Sequence, residues 1–312
     1  RNAAVDALIQ KMKDAEKLHP QVPKTLNAQL RNYQEVGFEW MSKLTAWGAG
    51  ACLADDMGLG KTLQTITLLL EQAQSGPSLI VVPASLVPNW RNELSRFAPT
   101  LNVFVLNDEV NREKIIEQIS RNEILVTTYA LLTIHQQQLS QKSWNVAVLD
   151  EAHTIKNPNT KMSKAAMMLN AERKVILTGT PIQNHLSELW NLFQFINPGL
   201  LGNAEQFKRK YIISIEENKN KERQGQLKKL ISPFLLRRTK GEVIEELPEK
   251  NDISIPVELT GDELAMYELY RKKAEELAMV EVGVKLSTLS EITKLRQMAC
   301  SISLVDNAWT KT

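Results

Sequence analysis

Six short runs of β-prone apolar residues recur between residues 51 and 178, and they constrain the fold more than any other feature of the sequence. They are 51-ACLA-54, 78-SLIVV-82, 102-NVFVL-106, 124-ILVTT-128, 145-NVAVL-149 and 174-KVILT-178. Each is nearly continuous in apolar residues, and helical periodicity fills the stretches between them. A strand with one wet face alternates apolar with polar, whereas a strand covered on both faces by crossover helices does not. The expected fold is therefore α/β, a doubly wound parallel sheet with helices on both faces. Ligands of such sheets sit beyond the carboxyl ends of strands, so the residues that follow each run are where chemistry is expected.

Upstream, residues 3–18 and 29–47 carry apolar residues at helical spacing, Val5, Leu8, Ile9 and Met12 in the first and Leu30, Tyr33, Val36, Phe38, Met41 and Leu44 in the second. After Pro198-Gly199 the strand pattern stops. Residues 203–240 read as helical and basic, 241–252 as a Pro-containing connection, 253-ISIPVEL-259 as a candidate strand, and 262–300 as largely helical. The net charge of +2 hides an asymmetry: residues 205–240 hold eleven Lys/Arg against four Glu, and residues 241–312 hold fourteen acidic against eight basic. A basic stretch of that kind reads as a phosphate-contacting patch.

An apolar share of 43% and a charged share of 24% describe an ordinary globular chain. No apolar run approaches the roughly 20 residues of a membrane span, and no signal-peptide pattern opens the sequence. The expected location is the cytoplasm, nucleoid-associated in a bacterium or nuclear in a eukaryote, with no membrane partner. Two cysteines, Cys52 and Cys300, lack metal-like spacing and argue against a disulfide framework or a zinc site. Beginning at Arg1 and ending at Lys311-Thr312, the 312 residues are expected to be a piece of a longer chain.

The first run leads into 55-DDMGLGKT-62 and then a helical stretch, the strand–loop–helix context of a phosphate loop, although Asp55 stands where the general pattern has its first glycine. Backbone N–H groups of Met57, Gly58, Leu59, Gly60, Lys61 and Thr62, at the positive end of that helix, can cradle β- and γ-phosphates. Lys61 reaches phosphate oxygens and the Thr62 hydroxyl ligates Mg²⁺. The fifth run ends in Asp150-Glu151. There Asp150 is the expected metal carboxylate and Glu151 the base that polarises an attacking water. The sixth run is followed by 177-LTGTPIQN-184, in which Gly179 permits an unusual backbone angle next to Pro181.

Together, DDMGLGKT, 150-DEAH-153 and LTGTPIQN resemble motifs I, II and III of the Swi/Snf-type ATPases, translocases of double-stranded nucleic acid within helicase superfamily two. The family usually has DEMGLGKT, so an aspartate at position 55 is normal there and Asp56 replaces a glutamate conservatively. Residues 30-LRNYQEVGFEW-40 resemble the family's adenine-reading segment, which makes Gln34 the adenine contact. Residues 81-VVPASLVPNW-90 resemble motif Ia and 126-VTTYALL-132 motif Ib, which implies contacts from Ser85, Asn89, Thr127 and Thr128 to the DNA backbone. The blocks 234-FLLRRTK-240, 247-LPEK-250 and 295-LRQMAC-300 also match, and Arg237 and Arg238 are further DNA candidates. Asp55 and Asp56 count among the nucleotide-binding residues, and Gly179, Thr180, Gln183 and Asn184 among those that couple nucleotide to DNA. GTPIQN differs from the Ser-Ala-Thr tripeptide of the strand-separating DEAD-box and DEAH-box helicases.

The resemblance implies a RecA-like lobe over 26–200, preceded by a helical extension over 1–25. A basic helical insertion over 201–252 and a mainly helical segment over 253–312 would follow, the latter leading to a second lobe. No Q-x-x-x-R-x-x-R motif is present to supply the arginine fingers, so the chain by itself is expected to bind nucleotide weakly and hydrolyse it poorly. The implied function is that of the N-terminal ATPase lobe of a double-stranded DNA translocase using ATP and Mg²⁺, which acts with its second lobe on an unknown protein target on DNA. Two rivals are a strand-separating helicase or restriction-type translocase subunit and a non-hydrolysing, nucleotide-dependent interaction module. The four residues Lys61, Thr62, Asp150 and Glu151 speak against the second.

Overall fold

The computed structural model describes residues 3–179, 185–243, 256, 258–259, 261–279 and 285–306. Thr180, Gln183 and Asn184, the block 247–250 and most of the candidate strand 253–259 lie outside these residues. The chain forms two compact units, residues 1–247 and 248–312.

The first unit is built on seven described parallel strands: β1 (Ala51–Leu53), β2 (Ser78–Val82), β3 (Asn102–Val105), β4 (Glu123–Thr128), β5 (Trp144–Leu149), β6 (Ala171–Leu177) and β7 (Leu235–Leu236). Their order is β3-β4-β2-β5-β6-β1-β7. The six expected strands are thus in place. Strand β7 is a correction: Leu235 and Leu236 pair in parallel with Cys52 and Leu53, within a stretch that reads as helical in the sequence. Two apolar residues between a Pro-containing turn and two arginines carry no detectable period, and pairing with an already formed edge decides their conformation.

Residues along the strands alternate between two cores, as a sheet covered on both sides requires. Ala51, Leu53, Ile80, Val82, Val146, Val148, Val175 and Leu177 face one core. It is closed by Phe38 and Met41 of α2 (Asn32–Ala46), by Ile66 and Leu69 of α3 (Lys61–Gln72), and by Trp90 and Leu94 of α4 (Val87–Phe97). The other face, with Cys52, Leu79, Val81, Leu125, Ala147, Leu149 and Ile176, is closed by α5 (Arg112–Gln118), α6 (Tyr129–Ile134), α7 (Gln136–Gln141), α8 (Lys161–Met167) and α9 (Leu186–Ile196). This is the RecA-like doubly wound architecture. Before it comes α1 (Ala3–Glu16), whose Ala15 is buried while Val5, Leu8, Ile9 and Met12 stay exposed.

After the sheet's sixth strand, α10 (Ala204–Phe207) runs into a π-helical segment, Lys208–Glu217, and then α11 (Lys221–Ile231). Phe207, Tyr211, Leu227 and Ile231 anchor this basic region in the second core, leaving its lysines outward. Strand β7 and α12 (Lys240–Val243) follow. In the second unit α13 (Gly261–Met279) and α14 (Lys285–Cys300) pack together, with Glu291 of α14 accepting from Lys294 Nζ at 2.8 Å.

Candidate nucleotide site

Because β6 lies between β1 and β5, the phosphate-like loop, the Gly179 turn and the acidic pair emerge from three adjacent strand ends. The loop after β1 has Gly58 and Gly60 at φ +88° and +76°, in the left-handed region that favours glycine. At Gly60 a Cβ would also stand 2.4 Å from Gln34 Nε2, so a larger residue there would have to displace the end of that side chain as well as adopt the left-handed angle. Gln34, buried on α2, donates from Nε2 to the carbonyl of Leu59 at 3.2 Å and accepts at Oε1 from the Arg31 N–H at 3.0 Å. The expected adenine contact therefore rests directly on the loop. Leu59 is wholly buried and offers only its backbone, whereas Met57 is 72% exposed and lies over Gly179. Lys61 and Thr62 open α3, and Lys61 Nζ donates to the carbonyls of Asp55 at 2.7 Å and Asp56 at 3.3 Å.

Asp55 explains why this loop lacks its first glycine. Its side chain is fully buried and accepts at Oδ1 from the Arg238 backbone N–H at 3.1 Å and from Arg238 Nε at 3.0 Å. Oδ2 accepts from Arg238 Nη2 at 2.5 Å, forming a bidentate pair. The remaining Nη1 donates to the carbonyl of Tyr33, Nη2 also reaches Gln64 Oε1 at 2.9 Å, and the guanidinium lies 5.4 Å from the Tyr33 ring centroid. Asp56 continues the seam: its N–H donates to the Arg238 carbonyl at 3.0 Å, and its Oδ2 accepts from the Lys240 N–H at 3.2 Å. Two expectations change here. Asp55 is engaged as the anchor of the segment after β7, and Arg238 has its fork committed to that carboxylate in place of a DNA phosphate. Arg237 beside it is exposed.

At the end of β5 the Asp150 carboxylate is held by neutral donors. Oδ2 accepts from Trp90 Nε1 at 2.8 Å and Oδ1 from the Glu151 N–H at 2.8 Å. The Asp150 N–H continues the ladder to Val81 O at 2.9 Å, and its carbonyl accepts from the Tyr129 hydroxyl at 2.8 Å. Burial pushes the Asp150 carboxyl above its ordinary pKa, against the opposing pull of the Trp90 and Glu151 donors; the Glu151 charge raises it further and the Lys61 ammonium lowers it. The Tyr129 phenol is pushed well above its usual value by burial first and by the Asp150 and Glu151 charges after it. Glu151 itself sits at φ +46°, a strained angle for a residue with a side chain, and its Oε2 lies 3.2 Å from His153 Nδ1.

The four expected DNA contacts of motifs Ia and Ib divide. Ser85 and Asn89 are exposed at the entrance to α4. Thr127 and Thr128 are buried, a correction with a local cause. They close β4, and the Thr128 hydroxyl accepts from the Leu131 N–H at 3.2 Å to cap α6. Neither hydroxyl faces outward as a phosphate contact must. The polar atoms of Trp90, Tyr129 and Arg238 are the parts of the site that sequence reasoning missed. Asp55 and Arg238 are charged residues close to apolar runs, and a buried charge needs a partner, but nothing in the sequence pairs the one with the other.

A family model described as the SNF2-related domain matches residues 33–304. YwqA of Bacillus subtilis (strain 168) is 39% identical over 304 residues, covering 94% of this chain and 33% of that protein. The ISWI chromatin-remodeling complex ATPase CHR17 of Arabidopsis thaliana is 36% identical over 287 residues, covering 89% and 27%. Among solved structures, the Sulfolobus solfataricus SWI2/SNF2 ATPase core in complex with dsDNA matches with a TM-score of 0.67 at 38% identity, over 93% of this chain and 63% of that one. The chain spans a third or less of the length of these two curated relatives.

Proposed function

This chain belongs to the SNF2-related family, and from that premise we propose that it is the first, nucleotide-binding lobe of an ATP-driven motor that moves along double-stranded DNA without separating its strands. The observation that carries the reading is the convergence of Lys61, in the loop and helix after β1, with Asp150 and Glu151 after β5, the two strands that flank β6 in the sheet.

The residues fit Mg²⁺-ATP. Gly58 and Gly60 adopt left-handed angles in the loop, and the N–H groups that open α3 lie at the positive end of that helix, where a β- or γ-phosphate is favoured. Asp150 is a buried carboxylate whose hydrogen-bond donors among the described residues are neutral, which leaves its charge for a cation. Magnesium is usually held by one or two carboxylates plus phosphates, and Thr62 with Asp150 would supply the protein's share. The bound metal supplies neutralisation of charge on the phosphate oxygens. Glu151 takes the proton of the attacking water, Lys61 holds phosphate charge, and Gln34 carries the adenine-facing amide. Ser85, Asn89 and Arg237 are the proposed contacts to the DNA backbone, and Gly179, Thr180, Gln183 and Asn184 the proposed coupling segment.

A second RecA-like lobe of the same parent chain would complete the site with an arginine, a contribution of about 10³–10⁵ in rate. We assign 1–25 to an extension, 26–200 to the lobe, 201–252 to the basic insertion and 253–312 to the connection toward that second lobe. The test is Mg²⁺-ATP binding and turnover by this chain and by the full-length protein, with and without duplex DNA, alongside Lys61→Ala. Binding lost with the substitution, negligible turnover by the 312-residue chain and DNA-stimulated turnover by the full protein are expected. Robust turnover by the chain alone would overturn the two-lobe reading, and unwinding of a forked duplex by the full protein would favour a strand-separating helicase.

A further inference from the structure

Two aromatic side chains hold Asp150, and each follows directly after a residue expected on the DNA side. Asn89 is exposed on the first turn of α4; Trp90, next to it, is 2% exposed and donates its indole N–H to Asp150 Oδ2 at 2.8 Å. Thr128 ends β4; Tyr129, next to it, is 3% exposed and donates its hydroxyl to the Asp150 carbonyl at 2.8 Å. The two attachments differ in kind. Tyr129 grips main chain at a point where the Asp150 N–H is already bonded to Val81 O at 2.9 Å, so it fixes backbone that the ladder already fixes. Trp90 grips one of the two carboxylate oxygens, and the other is fixed by the Glu151 N–H at 2.8 Å. The indole therefore sets which oxygen lone pair of Asp150 is left for a cation.

We propose that Trp90 is the positioning residue through which duplex DNA, seated on Ser85 and Asn89, tightens the metal site at Asp150. The inference rests on the reading above, that DNA meets the 84–89 segment. Its physical content is a lever: Asn89 and Trp90 are consecutive residues of one helix, so a tilt of the first turn of α4 moves the indole relative to a carboxylate on a different, central strand. Partners of a ligating carboxylate govern metal affinity by about 10–100-fold. Coupling of this kind is reciprocal, so DNA that tightens the metal site is itself held more tightly when metal and nucleotide are bound.

The experiment is a Mg²⁺ titration of the binding of a fluorescent, non-hydrolysable ATP analogue to the full-length protein, with and without saturating duplex DNA. DNA is expected to lower the Mg²⁺ requirement of the wild type by about fivefold or more, the low end of measured couplings. Trp90→Phe keeps an aromatic ring but removes the donor; it should raise the Mg²⁺ requirement by about 10–100-fold and lose the DNA effect. Tyr129→Phe should keep the DNA effect, a contrast that general loosening of the site would not produce. If Trp90→Phe does not fold, the indole ¹⁵N–¹H resonance of Trp90 in the wild type serves instead and should move when DNA is added without nucleotide. An unchanged DNA effect in Trp90→Phe, its absence in a wild type that binds DNA, or a stationary indole resonance would each overturn the inference while the motor reading stands. A wild type that does not bind duplex DNA at all would sink both.

Discussion

Asp55 and Asp150 are both buried aspartates just past the carboxyl end of a strand in the same sheet, yet they have opposite fates. Asp55 faces a guanidinium that meets both of its oxygens, so its charge is neutralised inside the fold. Asp150 faces an indole, a peptide N–H and no hydrogen-bonded cation among the described residues. Donors of the first kind make a joint; donors of the second kind orient a charge and leave it available. A carboxylate's position in a motif therefore says less about its role than the charge of the groups that hold it.

The sharpest way to break this contrast is to remove each carboxylate in turn. Asp55→Ala leaves Arg238 buried without a counter-charge and should lower stability to urea unfolding by about 3–5 kcal/mol. Replacing both members, with Arg238→Met added, should recover most of that loss, and a single-variant loss below about 1 kcal/mol would show that Asp55 is not a joint. Asp150→Asn should do the reverse. Its stability should stay within about 1 kcal/mol of wild type, because no hydrogen-bonded cation is left unpaired when it goes, while Mg²⁺-dependent turnover by the full-length protein falls by more than the roughly 100-fold that a hydrogen-bond partner of a metal ligand contributes.

Between the two lies the loop itself. Gly60→Ala combines a left-handed angle with a Cβ 2.4 Å from Gln34 Nε2, and is expected to lose about 1–2 kcal/mol in thermal unfolding along with nucleotide affinity. Loss of affinity without loss of stability would mean that the glycine serves only the ligand.

The smallest effect is in pH. Burial raises the Asp150 pKa, so the folded chain keeps that proton to higher pH than the unfolded chain. In the absence of Mg²⁺ the resulting stability is full below the ordinary carboxylate range and is lost as pH rises through the raised value. Asp150→Asn should remove this component from the stability profile measured in chelator, and an unchanged profile would remove Asp150 as its source.

What could be read from the sequence follows from range. The six central strands announce themselves because three or four consecutive apolar residues recur between helical stretches, and the phosphate loop and acidic pair lie beside them as local patterns. The seam does not, since Asp55 and Arg238 are 183 residues apart and neither position hints at the other. The role of the Trp90 N–H was not assignable, because only the fold brings α4 over the end of β5. Thr127 and Thr128 misled for a related reason: a hydroxyl at a strand end suits a phosphate and a helix cap equally, and here the cap took one of them.

The two residues of β7 also bear on how the chain can be handled. Leu235 and Leu236 cover the flank of β1, and the carbonyl of Leu236 receives the Ala54 N–H at 2.7 Å, immediately before the nucleotide loop. A fragment trimmed to the first 200 residues would keep every catalytic motif but lay that flank bare, an open row of backbone donors and acceptors ready to pair with another molecule. Such a fragment would tend to associate through that edge, so the short strand inside the basic region belongs with the lobe whenever the chain is shortened.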